Sequence, residues 1–87
     1  MMELGEEVRT VVGEYGRLSV DVSTLTENSS LYEAGMTSHA SVNVMLGLEN
    51  AFDIEFPDRM LRRSVFETMG AMQAAIEELK SEELTAA

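Results

Sequence analysis

The sequence has no cysteine and no tryptophan, and it has only one proline and one histidine among its 87 residues. Without cysteine the chain can form neither disulfides nor thiolate metal sites. The single histidine, His39, follows Ser38, but neighbours on a helix point about 100° apart, so the pair is not arranged as base and nucleophile. A glycine-rich phosphate loop is also missing. We therefore expect no catalysis by this chain.

Basic residues are scarce, with 6 Lys and Arg against 16 Asp and Glu and a formal net charge of −10. Phosphate backbones require a basic face, so nucleic acid is excluded as a partner. The charge favours partners with basic docking surfaces, or it serves only solubility. No leader pattern and no apolar run of membrane-spanning length is present, so we expect a cytoplasmic monomer that engages no membrane.

Three acids lie close together at Asp53, Glu55 and Asp58. A calcium loop needs ligands at regular odd positions with a central glycine and a final glutamate, and this pattern is missing. These acids are therefore interpreted as solvated side chains, and no metal site is predicted.

The hydrophobic fraction of 45% suffices for the core of one small domain that spans the whole chain. Apolar residues at helical spacing predict helix I over about residues 2–15 and helix II over about residues 38–52. A connection rich in Ser and Thr, residues 17–37, is predicted as a long first loop. The expected fold is a small all-α antiparallel bundle of three main helices plus one short helix.

The last third of the chain supplies the other two helices. The residue before Pro57 is pushed out of helical geometry, so a boundary is expected there. A short helix III is predicted over about residues 59–63. A capping box, Ser64 to Glu67, predicts the start of helix IV, over about residues 65–80.

Helix II follows a glycine and a Thr-Ser pair, and no charged residue occurs from Ala34 to Leu48. On this ground alone Ser38 is expected to be the N-cap of the helix. One face is predicted to join the core and consists of Val44, Met45, Leu48, Ala51 and Phe52. The opposite face, which includes His39, Val42 and Leu46, indicates a binding surface, or a bundle that wraps this helix more completely.

Three segments carry a family resemblance: Glu-Ala-Gly-Met-Thr-Ser at residues 33–38, Met-Leu-Gly-Leu-Glu at 45–49 and Phe-Asp-Ile-Glu-Phe-Pro-Asp at 52–58. Together they resemble the acyl carrier protein family. Its attachment motif is Asp-Ser-Leu after a glycine, followed by a helix and then by Phe-Asp-Ile-x-(Ile or Phe)-Pro-Asp. The resemblance implies an acyl-carrier-like bundle with a long first loop.

The resemblance also implies that Ser38 receives 4′-phosphopantetheine from coenzyme A through a separate phosphopantetheinyl transferase that uses Mg²⁺. The terminal thiol of the arm then holds cargo as a thioester. A phosphate at a helix N-terminus meets free N–H groups and the positive end of the helix dipole. The protein would supply position and recognition, and the prosthetic group the chemistry.

The chain departs from the fatty-acid carriers in two ways. Thr37 stands where the family usually has Asp, and His39 where it has Leu. Helix II also lacks the acids on which basic synthase surfaces dock, since Glu49 is its first acid.

The run from Leu31 to Asp58 is most similar to the aminoacyl carrier protein branch. Members of this branch are loaded with glycine or alanine by a ligase that resembles class II aminoacyl-tRNA synthetases, particularly seryl-tRNA synthetase. By this resemblance the candidate ligase contacts are His39, Val42, Leu46, Arg59, Arg62 and Arg63. The alternatives are an acyl carrier of a specialised lipid, polyketide or nonribosomal peptide pathway, and an unmodified acidic helical interaction module. The acceptor of the cargo is not predicted.

Overall fold

The computed structural model describes the backbone of residues 3–85 and the side chains of residues 3–81. The described part contains four α-helices and no strand; the helices are α1 (Leu4–Tyr15), α2 (Ser38–Phe52), α3 (Arg63–Phe66) and α4 (Met69–Thr85). The predicted all-α bundle with three main helices and one short helix is confirmed. Met2, the predicted start of helix I, lies outside the described residues.

The core forms where the three main helices meet. The buried stripe of α2 follows the i+4 series Ala40, Val44 and Leu48. It packs in one cluster with Val8, Val11 and Val12 of α1 and with Met69, Met72, Ala75 and Ile76 of α4. Ala51, predicted to join the core, is exposed because the stripe continues toward Phe52, which is partly buried. Among the described helices, none combines the length and the apolar character that crossing a membrane requires.

The long first loop is tied to the helices by side-chain and backbone hydrogen bonds. Arg9 Nη1 of α1 donates to the carbonyl oxygens of Val22, at 2.5 Å, and of Leu25, at 2.8 Å. Leu31 is fully buried, and its N–H donates to the carbonyl of Glu67 at 2.8 Å. The loop is therefore fixed against α1 and against the chain just before α4.

The predicted helix III over residues 59–63 is wrong. A 3₁₀ turn covers Asp58–Met60, and the separate helix α3 begins only at Arg63. Pro57 starts the turn and accepts the Met60 N–H at 2.9 Å. Leu61 then leaves helical geometry with φ −84° and ψ 63°. This break allows Met60 and the Phe66 ring of α3 both to be buried.

The predicted start of helix IV is also wrong. The capping box at residues 64–67 is not formed, because residues 63–66 belong to α3. The Phe66 ring packs edge-on against the Phe56 ring, with 5.5 Å between the ring centres. Instead Thr68 Oγ1 accepts the Ala71 N–H at 3.0 Å, and α4 begins at Met69 and continues to Thr85. Thr68 therefore has the hydrogen bond of an N-cap residue.

Gly47 lies where α1 packs against α2, and its missing side chain permits this close approach. A Cβ at this position would lie 2.8 Å from Tyr15 Cδ2 and 2.9 Å from Val11 Cγ1. Alanine gains up to about 1 kcal/mol of helix propensity, but overpacking costs typically about 1–3 kcal/mol. We expect Gly47→Ala to lower the free energy of unfolding, measured by urea denaturation, by about 1 kcal/mol.

Gly5→Ala is the matched control. Its Cβ would meet only the amide end of the Gln73 side chain, at 3.3 Å. Because that side chain can move, this variant is expected to be neutral or slightly stabilising. An equal gain in stability in both variants would contradict the close packing at Gly47.

Candidate functional site

Residues 34–36, which lead into α2, are held by contacts with Ser19 and Leu31 of the first loop. Gly35 has φ 111°, and a Cβ there would lie 2.9 Å from the backbone N of Ser19. The carbonyl of Ala34 accepts both the N–H and the hydroxyl of Ser19, at 2.8 and 2.9 Å. Met36 is buried, and its N–H donates to the carbonyl of Leu31 at 3.0 Å. Glycine is therefore required at position 35, and the start of α2 is held in place.

The N-cap of α2 is Thr37, not Ser38. Thr37 has extended backbone geometry, φ −84° and ψ 166°, and its Oγ1 accepts the Ala40 N–H at 3.0 Å. Ser38 is the first residue of the helix and is exposed. The expectation that Ser38 caps the helix is wrong, because the residue before it has the dihedral angles and the hydrogen bond of a cap. Thr37 stands where the acyl carrier family, which the sequence resembles, usually has Asp, and both residue types cap helices.

Three hydroxyls surround this helix start, and only that of Ser38 is unengaged. The Thr37 oxygen accepts from Ala40, and Ser41 Oγ donates to the Ser38 carbonyl at 2.6 Å. The Ser38 hydroxyl makes no hydrogen bond with any described residue. The first N–H groups of a helix have no intrahelical acceptor and favour an anion. The Ser38 side chain is therefore suited to carry a phosphate group.

A groove of about 340 Å³ opens beside Ser38 between α2, α3 and the chain before α3. Its lining consists of Tyr32, Ser38, Ser41, Val42, Met45, Leu61, Arg62, Arg63 and Phe66. The Arg63 guanidinium carbon lies 4.0 Å from the centre of the Tyr32 ring, which is cation–π geometry. The lining is mainly apolar, carries two cations and contains no carboxylate.

Three of the six predicted contact residues line this groove: Val42, Arg62 and Arg63. The other two on α2, His39 and Leu46, lie outside it and are exposed. Val42 is 50% exposed and Leu46 48% exposed, so both remain available for contact.

Arg59 is separated from the groove. It pairs with Glu78 of α4 at 2.8 Å, and both side chains are 52% exposed. The structure therefore places this arginine against α4 and not beside Ser38.

Sequence reasoning missed the other groove residues. Leu61 is 48% exposed. The only local sign of this exposure in the sequence is that Leu61 is an apolar residue among arginines. Tyr32 comes from the long first loop, and no periodicity connects it to Arg63. Met45 was assigned to the core, and it is only partly buried. Tyr32 and Arg63 meet only because the first loop packs against α3.

The carboxylates near the site are engaged or lie elsewhere. Glu49 is the sole acid of α2, and its Oε2 accepts the Phe56 N–H at 2.9 Å. Asp53 ends the helix in a left-handed conformation, φ 53°. In the part of the chain that the structure describes, no three His, Cys, Asp or Glu side chains form a cluster that could hold a metal ion. The outer face of α2 therefore presents no free carboxylate.

Comparison with known proteins gives a consistent match. The model of the family described as phosphopantetheine attachment site matches residues 6–72. An aminoacyl carrier protein from Agrobacterium fabrum is 42% identical over 69 residues, which are 79% of this chain and 83% of that protein.

Solved structures with similar folds include the following two. One is a chain in the crystal structure of an engineered Bradyrhizobium japonicum glycine:[carrier protein] ligase complexed with a carrier protein from Agrobacterium tumefaciens and ATP. It has a TM-score of 0.85 and 38% identity over 87% of this chain and 99% of that chain. The other is a solution structure of an Agrobacterium tumefaciens protein, with a TM-score of 0.75 and 37% identity over 95% of this chain and 99% of that chain.

The cap assignment predicts different effects for two neighbouring substitutions. Thr37→Ala removes the acceptor of the Ala40 N–H, so the free energy of unfolding should fall by about 1 kcal/mol. Ser38→Ala removes an exposed hydroxyl without a partner, so its effect should stay within about 0.5 kcal/mol. Chemical denaturation of both variants measures this, with Thr37→Asp as a variant that keeps the cap. A larger loss in Ser38→Ala than in Thr37→Ala would show that Ser38 is the cap.

Proposed function

Because the chain belongs to the phosphopantetheine attachment-site family, we propose that its Ser38 hydroxyl carries the 4′-phosphopantetheine arm of an aminoacyl carrier protein. Proteins of this family are carriers and are not themselves catalytic. The observation that supports Ser38 is its exposed, unbonded hydroxyl at the first residue of α2. The oxygens of Thr37 and Ser41, the nearest alternatives, are engaged with the backbone.

In the proposed modification the Ser38 Oγ forms a bond to the phosphorus atom of coenzyme A that carries the pantetheine. The bond from that phosphorus to the bridging oxygen breaks, and adenosine 3′,5′-bisphosphate leaves with the electron pair. The hydroxyl proton passes to a base of the phosphopantetheinyl transferase, and Mg²⁺ bound by that enzyme neutralises the diphosphate.

Several groups of this chain fit the resulting phosphodiester. The backbone N–H groups of Ser38 and His39 are at the open end of α2, where an anion is favoured. Arg62 and Arg63 line the adjoining groove and are suited to charge-assisted hydrogen bonds with phosphate oxygens. When bound, the arm supplies a thiol that holds an amino acid as a thioester.

The proposed cargo is glycine or alanine, and the proposed loading partner is an amino acid:carrier protein ligase. The similarity to a carrier in complex with a glycine:[carrier protein] ligase supports both. The absence of a free carboxylate on the outer face of α2 argues against docking that depends on acids of this helix. The chain is proposed to act as a monomer.

The surface proposed to contact the ligase, called the docking surface below, consists of His39, Val42, Leu46, Leu61, Arg62 and Arg63. Val42, Leu46 and Leu61 are each about half exposed, which is unusual for large apolar residues that serve only the core. The two arginines form a basic margin beside them. Arg59, paired with Glu78, is proposed for the outer edge of this surface. The surface fits a ligase patch with an apolar centre and acidic neighbours.

The intact mass of the protein after incubation with coenzyme A, Mg²⁺ and a broad-specificity phosphopantetheinyl transferase tests the attachment. The parent protein should gain the mass of one phosphopantetheine. Ser38→Ala should gain nothing, and Ser41→Ala should gain as much as the parent. If the parent gains nothing, also with the transferase of the native host, the chain acts as an unmodified interaction module.

Charge reversal tests the docking surface. We expect Arg62→Glu and Leu46→Ala each to weaken binding of a glycine:[carrier protein] ligase by about three- to tenfold, as measured by calorimetry. Arg17→Glu is the matched control, because Arg17 is exposed, follows the C-cap of α1 and lies outside the docking surface. Unchanged affinity in both Arg62→Glu and Leu46→Ala would rule out this surface.

A further inference from the structure

We propose that the groove beside Ser38 selects the state of the prosthetic arm by charge. It holds the arm when the free end is uncharged, and it excludes the arm when the end carries an amino acid with a protonated amino group. This inference rests on the proposed function and concerns what the loaded carrier presents to its partners.

The groove is placed to receive whatever Ser38 carries. Ser38 is itself one of its lining residues, so a group attached to this hydroxyl begins at the groove. The volume of about 340 Å³ lies within the usual range of small-molecule sites. Val42, Met45, Leu61 and Phe66 supply apolar surface that would cover the aliphatic parts of an arm.

The charges of the lining decide which end group the groove accepts. Arg62 and Arg63 are its only charged side chains, although the chain has 16 acids in all. Arg63 is held over the Tyr32 ring at 4.0 Å, so that face of the ring already has a cation. Among the described residues Arg62 has no acidic partner that would offset its charge.

A protonated amino group finds no carboxylate in this lining. It would lose hydration and would meet two guanidinium groups, of whose two positive charges the single charge of the phosphodiester offsets only one. An uncharged thiol or acetyl end avoids both penalties. The phosphodiester at the other end of the arm is an anion and suits the same arginines.

Loading with an amino acid would therefore release the arm from the groove. Val42 and Leu61, which the unloaded arm would cover, belong to the docking surface. Their exposure would differ between the two states, so an acceptor enzyme that contacts them can distinguish a loaded carrier from an unloaded one.

Backbone amide NMR shifts of defined carriers test the proposal. The broad-specificity transferase attaches the arm from coenzyme A or from stable amide analogues of acetyl, glycyl and N-acetylglycyl coenzyme A. The measurement is made at about pH 6.5, where an α-amino group with a pKa of about 7.7–8.0 is protonated. Shift changes at Val42, Met45, Leu61 and Phe66, relative to the unmodified protein, report on the groove.

We expect clear changes at these four residues in the thiol, acetyl and N-acetylglycyl forms. In the glycyl form the changes should fall to less than half. N-acetylglycyl is larger than glycyl but neutral, so it separates charge from size. Equal groove shifts for glycyl and N-acetylglycyl, or no groove shifts in any form, would overturn the proposal.

Arg62→Glu provides a second test, because it places a carboxylate at the groove. In this variant the glycyl form should regain groove shifts, whereas the Arg17→Glu control should behave like the parent. Intact mass of each sample separates the two levels of failure. A parent protein that gains no arm overturns the proposed function together with this inference. Complete modification without the charge-dependent shifts overturns the inference alone.

Discussion

The hydrogen bond from the Ala40 N–H to Thr37 Oγ1 sets the register of the site. It places the N-cap of α2 at Thr37, one residue before Ser38. It also gives the Ala40 N–H, a backbone donor of the first turn, an acceptor other than the Ser38 hydroxyl. The Ser38 hydroxyl thereby stays exposed and unbonded. Gly35, with its positive φ and its close approach to Ser19, holds the chain that delivers Thr37 to this position. A cap at Ser38 would direct the same hydroxyl back into its own helix.

Charge is divided unevenly over this small protein. The chain has a net charge of −10, yet the groove beside Ser38 is lined by two arginines and no carboxylate. The single acid of α2, Glu49, fixes the Phe56 N–H and so shapes the turn after the helix. The basic, apolar groove therefore differs in charge from the chain as a whole. The net charge suits solubility or docking to a basic partner, and the groove has the charge that suits a phosphate.

Much of the fold could be predicted because it follows from local patterns. The apolar spacing of α1 and α2 and the resemblance of residues 33–58 were enough for an all-α bundle with Ser38 at a helix start. The predicted helix bounds were wrong around residues 59–68. Hydrogen bonds of this segment with Pro57 and Leu31, and the packing of Phe66 on Phe56, determine the path of the chain there. The chain there forms a 3₁₀ turn, a break and the short helix α3, and this path buries both Met60 and Phe66. The groove was not predictable, since it requires Tyr32 of the first loop to meet Arg63.

The proposed function depends on attachment at Ser38 and at no neighbouring hydroxyl. Tandem mass spectrometry of the protein isolated from its own cells tests this most directly. We expect a phosphopantetheine whose fragment ions place it on Ser38. Location on Ser41 or Thr37, or a protein that is never modified in those cells, would contradict it.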